Sequence, residues 1–425
     1  MAHCLTVHRA FTVGLIVNMA CRNVGQYPLR RQCWKCHNTP WPLAIADCDL
    51  STVHRNGLGS PYMRNQPTSV SSYPREERLT PSSSRSGDRT VKPTPNSRET
   101  STLPPELSTR LFQKYFNYIH PIWPILYKPM YASLDFRSPT MGMPAALVAA
   151  IYAIAACIDN KPQPFATNTI VQRYSEPRIF FEEAMCLLHE GDKESEPHRL
   201  TKALQPSILN CQVLTILALQ QHGVAEYSRA AILCSLASSM AIELRLHRPD
   251  TSGDSIQGEV RSRLWWNLYI LEKMLSFEMG KPVLLRSEET DCPYPSASEA
   301  DEFELMSVYV RDTGQTEQVR NTSIKLRTIS AFHTSISLTF IAERVSREIY
   351  GLAARKAIRD GQVDGEAKRI NLSLALRDWA RDLEATPLRL DLSDDLTSVP
   401  ATVINYTVCL PIVSHCHFSI INMDR

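Results

Sequence analysis

The residues best placed to do chemistry are cysteines near the start of the chain. Cys33-Trp34-Lys35-Cys36 forms a C-x2-C knuckle, with Cys21 upstream and eleven residues between Cys36 and Cys48. Thiolates are the ligands Zn2+ prefers, and four of them satisfy its tetrahedral geometry. One zinc ion on Cys21, Cys33, Cys36 and Cys48 is therefore the metal site these residues offer, with Cys4 and His37 as further donors. The competing reading is a set of unliganded cysteines in a degenerate N-terminal segment. Both stay open on spacing alone.

Two other clusters invite a catalytic reading, and both fail on geometry. His415-Cys416-His417 is contiguous, and successive residues on a helix point about 100° apart, so the three do not face one site. Asp394-Asp395 is the one adjacent pair of aspartates, followed by Leu-Thr-Ser with no third acid at the next helical step. A magnesium-diphosphate site of the terpene synthase kind needs more oxygen ligands than that. No P-loop, dinucleotide-binding fingerprint or nucleophile elbow occurs. The expectation is a protein that is not an enzyme, an all-α enzyme being the remote alternative.

The elements that would position such residues begin late in the chain. Of 425 residues, 43% are hydrophobic and 21% charged, with formal net charge +2, so any nucleic-acid surface has to be local. Residues 1–50 form a Cys-containing N-terminal segment. In it Arg9 precedes an apolar run, Ala10 to Ala20, that weakly resembles a signal peptide, but nothing downstream looks secreted and a buried strand is the better reading. Residues 51–102 are rich in Ser, Pro, Thr, Asn and Arg. Such a stretch buries too little apolar surface to offset its ordering entropy, which predicts a disordered linker. No window holds about 18 uninterrupted apolar residues, so no membrane span is expected.

From Leu103 onward the periodicity is helical, and the predicted class is all-α: a multi-helix domain preceded by that linker. Pro104 and Pro105 start a helix whose apolar stripe is Leu107, Leu111, Tyr115 and Tyr118. Pro144 to Ile158 is apolar nearly all round and has to be buried on most sides. Further helices are predicted near 173–189, 206–222, 227–246, 258–279, 323–352, 366–383 and 402–421. No strand pattern of useful length is read after the linker. Cys157, Cys186, Cys211 and Cys234 fall within the helical patterns, where free cysteine packs as a small hydrophobe.

Four segments in order then carry a resemblance. The first is LPPELSTRLFQKYFNYIHPIWPILYKPMY, with Tyr115, Phe116, His120, Pro121, Pro124, Ile125, Leu126 and Pro129 at the matching places. The second is AALVAAIYAIAA. The third runs from Ser207 to Arg248, with a turn at Gly223 and an ending Leu244, Leu246, His247, Arg248. The fourth is EVRSRLWWNLYILEKMLSFEMGKPVLLRSEETDCPYP. Together they resemble the fungal-specific transcription factor domain, the middle homology region of zinc-cluster regulators. The likeness covers 103–304, about half the chain, and a weaker likeness around Trp379 and Leu383 extends into a helical continuation over 305–425.

The resemblance implies a regulator of RNA polymerase II genes in the nucleus. It implies DNA as a partner, with a homodimer mate or transcriptional co-regulators beside it. It also implies an N-terminal binuclear cluster in which six cysteines hold two zinc ions. This chain shows one knuckle where two are expected, and Arg22, Arg30, Arg31 and Lys35 do not follow the related spacing. A non-DNA-binding regulatory or scaffold protein is the alternative. Related chains continue with further helices, so the 305–425 part is expected to be cut short.

The same motifs have a plain packing reading. Leu264, Leu268, Leu271 and Leu275 form an inward stripe that Trp265 and Tyr269 widen. Gly280 stands where a left-handed cap is wanted, before Pro282. Ala230, Ala231, Cys234, Ala237, Ser238 and Ala241 let a neighbouring helix come close. His247 and Arg248 are expected to complement the negative end of that helix. Glu272-Lys273 stands where related chains carry Asp-Arg, and Lys281 where they carry Arg. Lysine lacks the planar fork, which predicts a weakened pair.

Overall fold

The computed structural model describes residues 103–131, 142–158, 177–189, 205–311 and 317–389, with the backbone alone at 307–311 and 317–322. Among them are nine α-helices and one two-stranded hairpin, so the all-α class holds. The cysteines Cys21, Cys33, Cys36 and Cys48, the 51–102 segment, the 402–421 helix, Asp394-Asp395 and His415-Cys416-His417 lie outside the described residues.

Helix α1, Pro105–Lys114, runs straight into a π-helical turn, Tyr115–Ile119, closed by the His120 amide donating to the Tyr115 carbonyl at 2.9 Å. The turn explains a difference from the predicted stripe. Buried residues recur every four positions, Leu107, Leu111, Tyr115, Ile119 and Ser108, Phe112, Phe116, His120. A 3.6-residue helix drifts off such a pattern, and one wider turn restores the phase. Tyr118 is thereby left half-buried, and Ile119 and His120 go inside.

Helix α2, Ala145–Cys157, is buried continuously from Ala146 to Ala155, as its all-round apolar surface requires. It packs against α1, α3 (Pro177–His189) and α4 (Ile208–Gly223). Helix α4 is the centre of the body, buried from Asn210 to His222 and capped by the Ser207 hydroxyl, which accepts the Asn210 amide at 3.0 Å. Helix α5, Tyr227–Glu243, lies along α4 with the predicted small residues buried, and the Cys211 thiol comes within 3.7 Å of the Ala237 carbonyl. In the turn between them Ala225, not Gly223, takes the left-handed conformation, φ 64°.

Helix α6, Ser255–Met279, is capped by the Asp254 carboxylate, which accepts the amides of Ile256 and Gln257 at 2.9 and 3.3 Å. Its whole predicted stripe is buried, with Trp265 and Tyr269 beside it. Gly280 ends it at φ 61°, and the Lys281 amide reaches back to the Ser276 carbonyl at 2.9 Å, so the expected left-handed cap is present.

Where no strand was expected, β1 (Leu305–Arg311) and β2 (Glu317–Lys325) pair antiparallel. The signal is there in retrospect: β-branched and aromatic residues run together in Val308-Tyr309-Val310. Helix α7, Thr328–Val345, follows and runs into a second π-helical turn, Ser346–Tyr350. An added Cβ at Gly351 would sit 2.7 Å from the Arg347 carbonyl oxygen, so only glycine fits the exit from that turn. The short α8, Leu352–Arg359, has no buried residue. Helix α9, Gly365–Glu384, joins a smaller core of Leu338, Ala342, Val345, Ile349, Leu372 and Leu376.

Candidate functional site

The chemistry-bearing residues within reach are spent on holding helices together, and α6 is where the ties converge. The largest tie is fully buried. Arg263 on α6 donates both terminal nitrogens to Asp301, Nη2 to Oδ1 at 3.0 Å and Nη1 to Oδ2, and its Nε reaches Glu259 at 3.2 Å. His120 Nε2 meets the same Asp301 carboxylate at 3.2 Å. The Arg263 guanidinium lies 5.1 Å from the centre of the Tyr127 ring, and the Tyr127 hydroxyl donates to Glu299 at 2.7 Å. The planar fork of arginine suits this bidentate, stacked arrangement.

Burial alone would raise the Asp301 carboxyl. Hydrogen bonds from His120 and Arg263, with the guanidinium charge, outweigh it and hold Asp301 well below the usual carboxylate range. Burial also dominates at His120, where it outweighs the attraction of Asp301 and lowers the imidazole. A neutral ring donating from Nε2 leaves Nδ1 as a bare lone pair. That fits the finding that Nδ1 is the ring atom with no partner.

The second tie is the Glu272-Lys273 pair, expected to be weak. Both side chains are buried, and Lys273 Nζ donates to Glu272 at 2.6 Å and to the Leu285 carbonyl. Glu272 accepts in addition the Ser276 hydroxyl at 2.7 Å and the amides of Leu284 and Leu285 at 2.9 and 3.4 Å. The neighbours of this carboxylate, not a planar fork, make the site, so lysine serves. Lys273 Nζ also lies 4.3 Å from the Tyr269 ring centre, and the Tyr269 hydroxyl donates to Glu343 on α7. Burial, then that hydrogen bond, pushes the Tyr269 hydroxyl up.

Smaller ties link several other helices. Tyr152 on α2 and Ser108 on α1 share a hydrogen bond of 2.5 Å, and His222 on α4 meets Glu278 on α6 at 2.7 Å. At the end of α5 the expected charge is supplied by Arg261, not by His247 or Arg248. Its Nη2 donates to the carbonyls of Leu244 and Arg245 at 3.1 and 2.8 Å. Burial lowers His247, whose ring lies 5.7 Å from Trp265. Glu302 caps α7 from outside, accepting the amides of Ile329 and Ser330 at 3.0 and 2.9 Å.

The cysteines behave as packing groups with one correction. Cys211, Cys234 and Cys292 are buried, Cys157 is half-buried, and Cys186 is exposed. Burial pushes the thiols of Cys211 and Cys292 up to about 12 and that of Cys157 to about 11, so they stay protonated at neutral pH. No group of three His, Cys, Asp or Glu able to hold a metal occurs among the described residues. No helix among them is long and apolar enough to cross a membrane.

Asp301, Glu302 and Glu343 are the residues that reading the sequence missed. Asp301 and Glu302 sit in the acidic stretch Ser298-Glu299-Ala300-Asp301-Glu302, which looks like solvated loop.

Comparison with known proteins places this arrangement. A family model described as the fungal-specific transcription factor domain matches residues 112–381. Transcription factor FBD3 of Fusarium pseudograminearum (strain CS3096) is 28% identical over 141 residues, 33% of this chain and 16% of that protein. Zn(2)-C6 fungal-type transcription factor FTF1c of Fusarium oxysporum f. sp. lycopersici is 29% identical over 110 residues, 23% of this chain and 12% of that one. Activatory protein CHA4 of Saccharomyces cerevisiae is 24% identical over 246 residues, 56% of this chain and 34% of that one. The chain thus spans about a third or less of the length of these relatives. No solved structure matches. The match over 112–381 takes in α6 and nearly every tie that converges on it, and this chain belongs to the fungal-specific transcription factor domain family.

Proposed function

We propose that this chain is the helical regulatory part of a fungal transcription regulator acting in the nucleus on genes read by RNA polymerase II, and that it is not an enzyme. The observation that carries this is the family match over residues 112–381. The fate of the polar side chains supports it. Asp301, Arg263, Glu272 and Lys273 hold one another or nearby backbone. A body knit this way suits a platform that effectors or co-regulators bind, or across which a second copy pairs. We divide the chain into a Cys-containing segment (1–50), a linker (51–102), the regulatory helices (103–304) and their continuation (305–425).

Zn2+ and DNA enter through residues 1–50. Cys21, Cys33, Cys36 and Cys48 are the ligands we assign to one zinc ion, in keeping with the Zn(2)-C6 name of one relative. The single C-x2-C knuckle favours a second reading, a regulator or scaffold that has given up DNA contact. Metal analysis and DNA binding of the purified full chain, with and without chelator, separate the two. The DNA-binding reading predicts bound zinc and sequence-specific binding that chelation abolishes. Absence of both transfers the chain to the scaffold class.

A further inference from the structure

We propose that a cavity beside the π-helical turn of α1 binds a small, neutral, largely apolar molecule such as a one- or two-ring aromatic. The proposal rests on the regulatory reading above and gives it a ligand site. The cavity has a volume of about 270 Å3, and Phe112, Phe116, Pro129 and Tyr131 contribute apolar walls. Ligand pockets usually run from about 300 to 1,000 Å3, so a compact molecule fits and a nucleotide does not.

The charges around the cavity select against an ion. Lys128 at its edge is paired to Glu304 at 2.6 Å and lies 5.5 Å from the Phe116 ring centre. Asp301, which also lines it, has both oxygens engaged by Arg263 and His120. With those charges matched, the affinity of the cavity comes from contact with carbon.

A second observation is independent of the volume. Phe116 and Asn117, two of the lining residues, belong to the π-helical turn. Such turns interrupt α-helices mostly where function requires a local change of phase. Here the same turn carries a wall of the cavity and ends at His120, the partner of Asp301. An occupant would therefore touch the segment that joins α1 to α6.

The test uses the purified full chain titrated with indole, followed by saturation-transfer NMR and thermal melting. Ala300 and Gln113 line the cavity and are exposed, so Ala300→Phe and Gln113→Trp fill it without disturbing the core. We expect saturable binding of indole that raises the melting temperature. Either variant should melt like the parent without indole and bind it at least tenfold more weakly. Lack of saturable binding, or equal affinity in both variants, overturns the site. Binding is read without transcription, so a silent reporter would count against the regulatory reading and leave the site standing.

Discussion

Asp301→Ala should lower the stability of the protein by about 3–5 kcal/mol, the usual cost of removing one partner from a buried ion pair. The loss is read from urea denaturation at pH 7. Arg263 has no water to turn to, because its side chain is wholly buried and its remaining acceptor is Glu259. Removing Arg263 and Asp301 together, as Arg263→Met with Asp301→Leu, should cost less than the sum of the two single changes. That sub-additivity is the signature of a shared tie. A cost for Asp301→Ala under about 1 kcal/mol, as for exposed pairs, would mean that the carboxylate is solvated.

The same cluster sets an acid limit. His120 is lowered in the folded state, so the unfolded chain takes up its proton first, near pH 6.5. Stability then falls as pH drops below about 6.5. Asp301 is also lowered, so its contribution is complete above about pH 3.9 and is lost as pH falls from there toward the folded value. In Asp301→Ala the lower of these two limbs should flatten.

Glu272→Ala should cost a similar amount, about 3–5 kcal/mol, because it strands the Lys273 ammonium and orphans two backbone amides. Lys273 would keep only the Leu285 carbonyl and the Tyr269 ring, and the amides of Leu284 and Leu285 would lose their acceptor. Glu272→Gln keeps one acceptor oxygen and should cost clearly less. If alanine and glutamine behave alike in denaturation, the segment after Gly280 is held by its leucines and not by this carboxylate.

Periodicity made much of the body legible. The α6 stripe, the all-apolar α2, the small face of α5 and the Gly280 cap each follow from local composition, and each stands where it was expected. What stayed hidden depends on distant partners. Asp301 lies 181 residues from His120 and 38 from Arg263, and no local pattern marks an acid in an acidic loop as buried. The π-helical turn stayed hidden because Tyr118, three residues past Tyr115, completes an ordinary 3.6-residue stripe, whereas the buried residue is Ile119. Helix α7 begins after Arg327 with no side-chain cap of its own, and its cap comes from Glu302 across the fold. Helix α8 spans only eight residues and buries none of them, too short a window for a periodic pattern to stand out.

The role proposed for this body is the regulation of transcription. Its most direct test fuses the full chain to an unrelated DNA-binding domain and measures a matching reporter against that domain alone. A regulatory body should give output that differs from the domain alone, upward or downward, and that Asp301→Ala returns toward it. Output equal to that of the domain alone, with the fusion present in the nucleus at the same level, would contradict it.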